Sequence, residues 1–281
     1  MSALRPTVGT KVYHLMAGPG DIAPYVLTPG DPDRVPRIAK YWDSARAVAT
    51  HREYVTYTGT YKGAPPISAV STGIGGPAAA IAIEELLTLG ANTFIRVGTT
   101  GGAIHEWIRV GDVIINTGAV RFDGASNAYA MPEYPAVASY DVVLALITAA
   151  EMLGVKYHVG LTASTADFYV GQGRPGFKDY QPPWSRDIIN TLSSMNVLNF
   201  EMEAATIYTI ANVHGARAGG IMAVIANRKT NEFTPDAGGV EDAIKVANEA
   251  VRILYEWDAI KSNMGGLKYL TMNVIKEWIK R

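Results

Sequence analysis

Short, largely apolar runs recur along this chain, and each is cut by glycine, proline or aspartate before a stretch of helical periodicity begins. Tyr25-Val26-Leu27-Thr28 gives way to Pro29-Gly30-Asp31-Pro32. Thr93 to Val97 is stopped by Gly98-Thr99-Thr100-Gly101-Gly102, and Gly220 to Ala226 is apolar throughout. A strand without a polar face has no side to give to water, so its sheet must be covered by helices on both faces. The pattern therefore predicts an α/β domain. Helices are predicted over Val35–Tyr41, Gly76–Leu89, Tyr140–Leu153, Arg186–Ser194, Ala204–Val213 and Val240–Trp257, and further strands over Asp112–Asn116, Tyr157–Ala163 and Val197–Phe200. Arg52–Tyr61 and Pro66–Thr72 flank Lys62-Gly63 and read as a β-hairpin. No linker or repeat interrupts 1–263, read as one domain. Beyond Gly265-Gly266, residues Tyr269, Leu270, Val274, Trp278 and Ile279 recur at roughly helical spacing, so 264–281 is an appended helix that docks on its own subunit or a neighbour.

Charge narrows the functions open to such a domain. Lys+Arg total 25 against 26 Asp+Glu, with no long basic run, which argues against a nucleic-acid binder. Hydrophobic residues at 48% with only 18% charged residues argue against disorder. The absence of cysteine removes disulfide scaffolds, thiolate metal sites and cysteine nucleophiles together. Met1 to Pro6 is followed by no apolar leader core. The longest uncharged stretch, between Lys62 and Glu84, holds Pro65, Pro66, Gly73, Gly75, Gly76 and Pro77 and cannot be one membrane-spanning helix. The expectation is a soluble, cytoplasmic protein that contacts neither nucleic acid nor membrane.

Three segments suit an anion. In Thr28-Pro29-Gly30-Asp31-Pro32-Asp33-Arg34 a glycine turn exposes backbone N–H groups, with Arg34 about a helical turn further on. The plainer reading is a strand–turn–helix with an Asx turn. Arg96 ends a buried strand and needs an anionic partner there, either a ligand or an internal carboxylate. Thr99 and the glycines after it lie where α/β sheets place their ligands. His51-Arg52-Glu53 is a charged triplet that alone reads as surface. Two further segments suit a sugar and a base. Phe200-Glu201-Met202-Glu203 sets two carboxylates where a strand gives way to a helix, as a glycosidase pair, a diol clamp or merely acids at a helix start. Phe168-Tyr169-Val170-Gly171-Gln172-Gly173-Arg174 offers an aromatic face, an amide and a guanidinium able to read a carbonyl–imide edge, or else a solvated loop. The five histidines show no metal-ligand spacing. No dinucleotide fingerprint, phosphate-loop lysine or nucleophile elbow is present.

Taken in order from His14 to about Trp257, the pieces TPGDPDRV (Thr28–Val35), HREY (His51–Tyr54), STGIGGPAAAIAIEEL (Ser71–Leu86), RVGTTGG (Arg96–Gly102), VRFDGAS (Val120–Ser126), FYVGQGR (Phe168–Arg174), FEMEAAT (Phe200–Thr206) and IANR (Ile225–Arg228) resemble the nucleoside phosphorylase-I family. Each piece is weak alone, and their collinear order makes the likeness specific. The resemblance implies a three-layer α/β/α sandwich around a mixed, partly barrel-like central sheet. It also implies a homohexamer, a trimer of dimers, with each site shared across the dimer contact.

Placed residue by residue, the resemblance implies that Gly30, Arg34, Arg96 and Thr99 hold phosphate, with Arg52 supplied by the partner subunit. Met202 and Glu203 would hold the ribose hydroxyls, with His14 of the partner near the 5′-hydroxyl. Gln172 and Arg174 would read uracil beside Phe168, Ile225 and Ala226 would form an apolar wall, and Arg228 would sit on the loop over the base. Arg96, Arg174 and Glu203 would carry the chemistry. Purine-specific bacterial members carry an acid near Ile225 and Ala226, whereas Val224-Ile225-Ala226-Asn227-Arg228 has none. With the Gln172/Arg174 pair, this points to uridine, cleaved by phosphate to uracil and ribose 1-phosphate. No cofactor is implied beyond phosphate as co-substrate. Some relatives hold a monovalent cation through counterparts of Glu53, Ile74 and a hydroxyl residue, but that last position is Ala78 here. Purine or methylthioadenosine phosphorolysis, hydrolysis without phosphate, and non-catalytic nucleoside binding are the alternatives.

Overall fold

The computed structural model describes residues 3–63, 66–235 and 238–281; Met1 and Pro65, used in the sequence reading above, lie outside the described residues. A small N-terminal hairpin, β1 (Thr7–Val8) and β2 (Lys11–Val12), precedes the main sheet. That sheet contains β3 (Tyr25–Thr28), β4 (Ser44–His51), β5 (Tyr54–Thr60), β6 (Pro66–Val70), β7 (Thr93–Thr100), β8 (Val113–Phe122), β9 (Ala136–Val137), β10 (Tyr157–Thr165), β11 (Val197–Glu201) and β12 (Arg217–Val224). Its order is β11-β10-β8-β12-β7-β3-β6-β5-β4, with β9 pairing β8. The sheet is mixed: β12 runs parallel to β7 and antiparallel to β8. A final short pair, β13 (Ala226–Asn227) and β14 (Glu232–Phe233), follows it.

One half of the sheet closes on itself. Just past β7, Ala103 bridges to Asn199 on β11 and to Asn227. Ile104 N–H donates to Leu198 O at 3.0 Å and Phe200 N–H to Gly102 O at 3.0 Å. The edge that β11 would otherwise expose is thus joined to the chain just past β7, which is the barrel-like closure expected from the family resemblance.

The helices divide between the two faces. On one, α1 (Arg34–Ala39), α3 (Tyr140–Leu153), α7 (Gly239–Asn263) and α8 (Met272–Ile279) bury Val35, Val142, Leu146, Ile244, Val251 and Trp257 against Leu27, Ile95 and Ile221. On the other, α2 (Gly76–Thr88) and α6 (Ala204–Val213) pack Ile83, Leu86, Ile207 and Tyr208 against Val26 and Phe94. Two short helices, α4 (Pro183–Arg186) and α5 (Ile188–Ser194), lead into β11. The sequence bounds for α3 and α6 match the structure residue for residue. In α3, Asp141 lies in the first turn, where the helix dipole favours an acid, and Gly154 closes the helix at φ 66°.

Other expectations need correction. Gly98 does not stop its strand, because β7 runs through it to Thr100. A Cβ there would meet Met222 Sδ at 2.5 Å and Arg96 Cζ at 3.1 Å, so this glycine serves packing rather than a turn. β8 reaches Phe122 rather than ending at Asn116. The predicted hairpin is the second half of a meander, and β4 was not foreseen. Arg52, at φ 55°, and Glu53 form the β4–β5 turn instead of opening a strand. Among the described residues no helix is long and apolar enough to cross a membrane.

The C-terminal helix docks on its own chain. Val274 is fully buried, Trp278 meets Trp257 edge-on with ring centroids 5.8 Å apart, and Trp278 Nε1 donates to Glu256 at 2.7 Å. Tyr140 Oη donates to Leu270 O at 2.9 Å and ties the connecting segment to α3. Replacing this half-buried indole removes apolar contact and leaves a gap, so Trp278→Ala should destabilise the fold by about 2 kcal/mol. Chemical denaturation checks this; an unchanged midpoint would show that α8 only rests on the surface.

Candidate active site

A cavity of about 700 Å³ opens where β3, β7, β10, β11 and β12 end. Ligands of α/β sheets gather at this edge because the turns leaving the strands expose free backbone groups there. Its lining includes Gly30, Arg34, Thr99, Arg96, Phe168, Gln172, Met202, Glu203 and Ile225. Residues more than a hundred positions apart in sequence thus face one space.

Arg96 is the centre of this arrangement. It is buried, and its Nε donates to Glu201 Oε2 at 2.8 Å while its Nη2 pairs with Glu203. The internal-carboxylate reading of Arg96 is therefore present in the fold. It does not use up the guanidinium: Nη1 is buried and has no hydrogen-bond partner among the described residues, and a Cβ on Gly30 would lie 3.8 Å from it. Burial works against the charge, but Glu203 and Glu201 outweigh it and hold the Arg96 pKa above its ordinary value. Glu203 is pushed above the usual carboxylate range, first by burial and further by Glu201, against the pull of Arg96 and the Gly75 N–H. Two carboxylates share one cation, so one of them is held at a cost.

Glu201 has a different task from Glu203. Its Oε2 also accepts the N–H groups of Glu203 and Ala204, both at 2.8 Å, and its Oε1 accepts from Ser164 Oγ. Ser164 Oγ in turn accepts Ala205 N–H at 2.8 Å. The start of α6 is thus satisfied by these two side chains, as unpaired N–H groups at a helix start require. Glu201 realises the helix-start reading of the acidic pair, and Glu203 faces the cavity.

On the anion side, Asp31 Oδ1 accepts Asp33 N–H at 3.0 Å, so the plain Asx turn is also real. Gly30 packs closely, since a Cβ would lie 3.2 Å from Gly73 O. Arg34 is buried, donates Nη1 to Val97 O at 3.0 Å and leaves Nε without a partner among the described residues. Burial lowers its pKa to about 10, which keeps it charged at neutral pH. Two guanidinium groups with unused buried donors therefore flank the Gly30 turn. A buried donor without a partner carries a desolvation cost that an oxyanion would remove.

On the far side, Gln172 is buried and lines the cavity. Its Oε1 accepts Arg174 Nη1 at 2.6 Å, and Arg174 also donates to Phe168 O at 2.7 Å and to Gly101 O. The Arg174 guanidinium lies over the Phe168 ring, 4.0 Å from its centroid. Burial brings its pKa down to about 10, with Arg228 adding to the effect. Arg228 donates Nη1 to Gln172 O at 3.0 Å and Nη2 to Gly173 O at 3.2 Å, so it braces this loop from outside the cavity lining. Ala226 is buried, and its carbonyl accepts Ala103 N–H; Ile225, not Ala226, reaches the lining.

His14 and Arg52 do not line this chain's cavity. Glu85 holds His14 through its Nδ1 at 2.7 Å and its N–H at 3.0 Å, and His51 Nδ1 lies 2.9 Å from His14 O. Arg52 is exposed at its hairpin tip. Gly101, one of the glycines after Thr99 expected at the ligand edge, does line the cavity. The sequence did not single out Ser164, because a serine inside a strand carries no local signal. Glu53 and Ile74 line the cavity mouth, as does Gly73. The cation position suggested by the resemblance does not fit these residues: Ala78 has no side-chain oxygen, and its carbonyl accepts from Tyr54 Oη at 3.0 Å. Among the described residues no group of three or more His, Cys, Asp or Glu is arranged to hold a metal ion.

A family model described as "Phosphorylase superfamily" matches residues 24–256. A uridine phosphorylase of Thermococcus kodakarensis is 58% identical over 266 residues, covering 94% of this chain and 95% of its own. The uridine phosphorylase of Escherichia coli is 43% identical over 254 residues, covering 87% of this chain and 98% of its own. A guanosine phosphorylase of Halorubrum lacusprofundi is 38% identical over 254 residues, covering 87% and 99%.

Removing the buried carboxylate that holds both Arg96 and the start of α6 leaves charge and donors unpaired. Glu201→Ala should cost about 3 kcal/mol of stability. Urea denaturation checks this, and a loss below the scatter of the measurement would mean that Glu203 alone suffices for Arg96.

Proposed function

Because this chain belongs to the phosphorylase superfamily, we propose that it is a uridine phosphorylase, a pentosyltransferase converting uridine and inorganic phosphate into uracil and ribose 1-phosphate. The observation that carries the reading is the single cavity faced by Arg34, Arg96, Glu203 and Gln172. The names of the relatives at 58% and 43% identity support the substrate.

In this reading phosphate sits in the Gly30 turn against Arg34, Arg96 and Thr99. Ribose lies over Met202, with its hydroxyls donating to Glu203. Cleavage of the bond between C1′ and uracil N1 builds positive charge on the sugar, as in other glycosyl transfers. The phosphate dianion below C1′ stabilises that charge and then forms the new C1′–O bond. The electron pair of the broken bond leaves with uracil, which takes up a proton. Arg174 lies just behind the lining, against Gln172, Phe168 and Gly101, and forms no salt bridge among the described residues; it is the group best suited to meet the negative charge on uracil, while Gln172 orients the ring. The two fixed arginines speed the reaction largely by holding phosphate in line. Phosphate is the co-substrate, and no step is routed through a cation. The lack of an acid in Val224–Arg228 supports a pyrimidine over a purine.

The same reading completes the site from a second copy. His14 and Arg52 lie outside this chain's cavity, which supports a dimer contact that delivers them to the neighbour's cavity, within a homohexamer built as a trimer of dimers in the cytoplasm.

Absorbance loss of uridine, followed with and without phosphate, tests the reaction. Turnover is expected only with phosphate, and faster for uridine than for guanosine or inosine. Fast loss in phosphate-free buffer would make the protein a hydrolase, and preference for guanosine would move it to the purine branch. Sharing has its own test. Inactive Arg52→Ala subunits mixed with inactive Glu203→Ala subunits should regain part of the wild-type rate after subunit exchange, and no recovery would place each site within one chain.

A further inference from the structure

Gln172 presents an amide whose two ends differ only by hydrogen, so its use in reading a base depends on which way round it is held. Two neighbours hold it. Arg174 has only donors, and its Nη1 lies 2.6 Å from Gln172 Oε1. Thr165, at the end of β10, lies on the other side, with Gln172 Nε2 donating to its Oγ1 at 3.0 Å. The Thr165 hydrogen is itself committed, because Oγ1 donates to Asp167 O at 2.9 Å. The hydroxyl therefore offers Gln172 an acceptor. Thr165 and Gln172 are each 2% exposed, so water does not compete for these bonds.

We propose that Thr165 is a positioning residue for base recognition: its hydroxyl, polarised by Asp167 O and opposed by Arg174, fixes the Gln172 amide in one orientation. The inference rests on the uridine phosphorylase reading and adds to it a residue whose role is not evident from the sequence. One N–H of Nε2 and one lone pair of Oε1 remain unused by these contacts. They form a donor and an acceptor in fixed order at the cavity wall. Uracil offers the matching pair, an N3–H donor flanked by carbonyl acceptors. Without the hydroxyl, the buried amide loses its only hydrogen-bond acceptor for Nε2 among the described residues. Its energy gap to the flipped orientation then narrows to what Arg174 alone supplies.

Steady-state kinetics with uridine and phosphate varied separately test this on wild type, Thr165→Val and Thr165→Ser. Thr165→Val should raise KM for uridine about tenfold, the worth of one buried hydrogen bond, with KM for phosphate changed less than twofold. Thr165→Ser keeps the hydroxyl and should stay within twofold of wild type on both. If Thr165→Val does not fold by circular dichroism, Thr165→Ala makes the same comparison. An unchanged KM for uridine in the hydroxyl-free variant would overturn the role. So would a serine variant as impaired as the valine one, or parallel rises in both KM values. Wild-type protein that consumes no uridine would instead overturn the proposed reaction, and this role with it.

Discussion

A single buried guanidinium joins the parts of this site. Arg96 sits inside the sheet, where an isolated cation would be prohibitively costly, and the fold meets it with two carboxylates from the end of β11. The pairing does more than neutralise charge. It holds Glu203 at the cavity wall, and through Glu201 it is tied to the first turn of α6. It also leaves Nη1 at the Gly30 turn, with Arg34 beside it. One planar group therefore spans the cavity between the Gly30 turn and Glu203. A lysine, with a point charge and no fork, could not do this.

That guanidinium is held in place by the sheet's geometry. β7 lies between β3 and β12, so the Gly30 turn and Ile225 emerge on either side of Arg96. Closure of the barrel-like half through Ala103 brings β11 next to the end of β7, although the two strands lie at separate places in the sheet order. Without that closure Glu201, on the edge strand β11, would lie four strands away from Arg96 on β7. Gly98 lets the Arg96 side chain fold back across β7, and a Cβ in its place would require Met222 and the Arg96 guanidinium to shift.

Much of this was legible in sequence because local and global preferences agree. The bounds of α3 and α6 could be read directly, because apolar periodicity, a first-turn acid and a left-handed terminal glycine mark α3, and an uncharged, mostly apolar run ending before His214-Gly215 marks α6. The site segments could be ordered along the chain because each falls at a strand end. What escaped was tertiary in origin. β4 is an exposed edge strand, whose alternating face in Ser44–His51 consists only of the small residues Ala45, Ala47 and Ala49. Gly98 read as a stop because a glycine needed for packing looks the same in sequence as one needed for a turn. Ser164 and Thr165 were invisible because a strand hydroxyl gives no sign of what it will face. The two roles open to Arg96, internal ion pair or ligand contact, could not be separated by sequence; the structure shows the ion pair and, among the described residues, one buried donor it leaves unpartnered.

The central claim is that the Arg96 fork serves carboxylates and phosphate at once. Calorimetric titration of inorganic phosphate into wild type and a folded Arg96→Lys variant tests it most directly. The account predicts phosphate binding at least about tenfold weaker in the variant, since lysine cannot reach both partners and loses a charge-assisted hydrogen bond to the anion. Equal phosphate affinity in the two proteins would contradict it and reduce Arg96 to a structural ion pair.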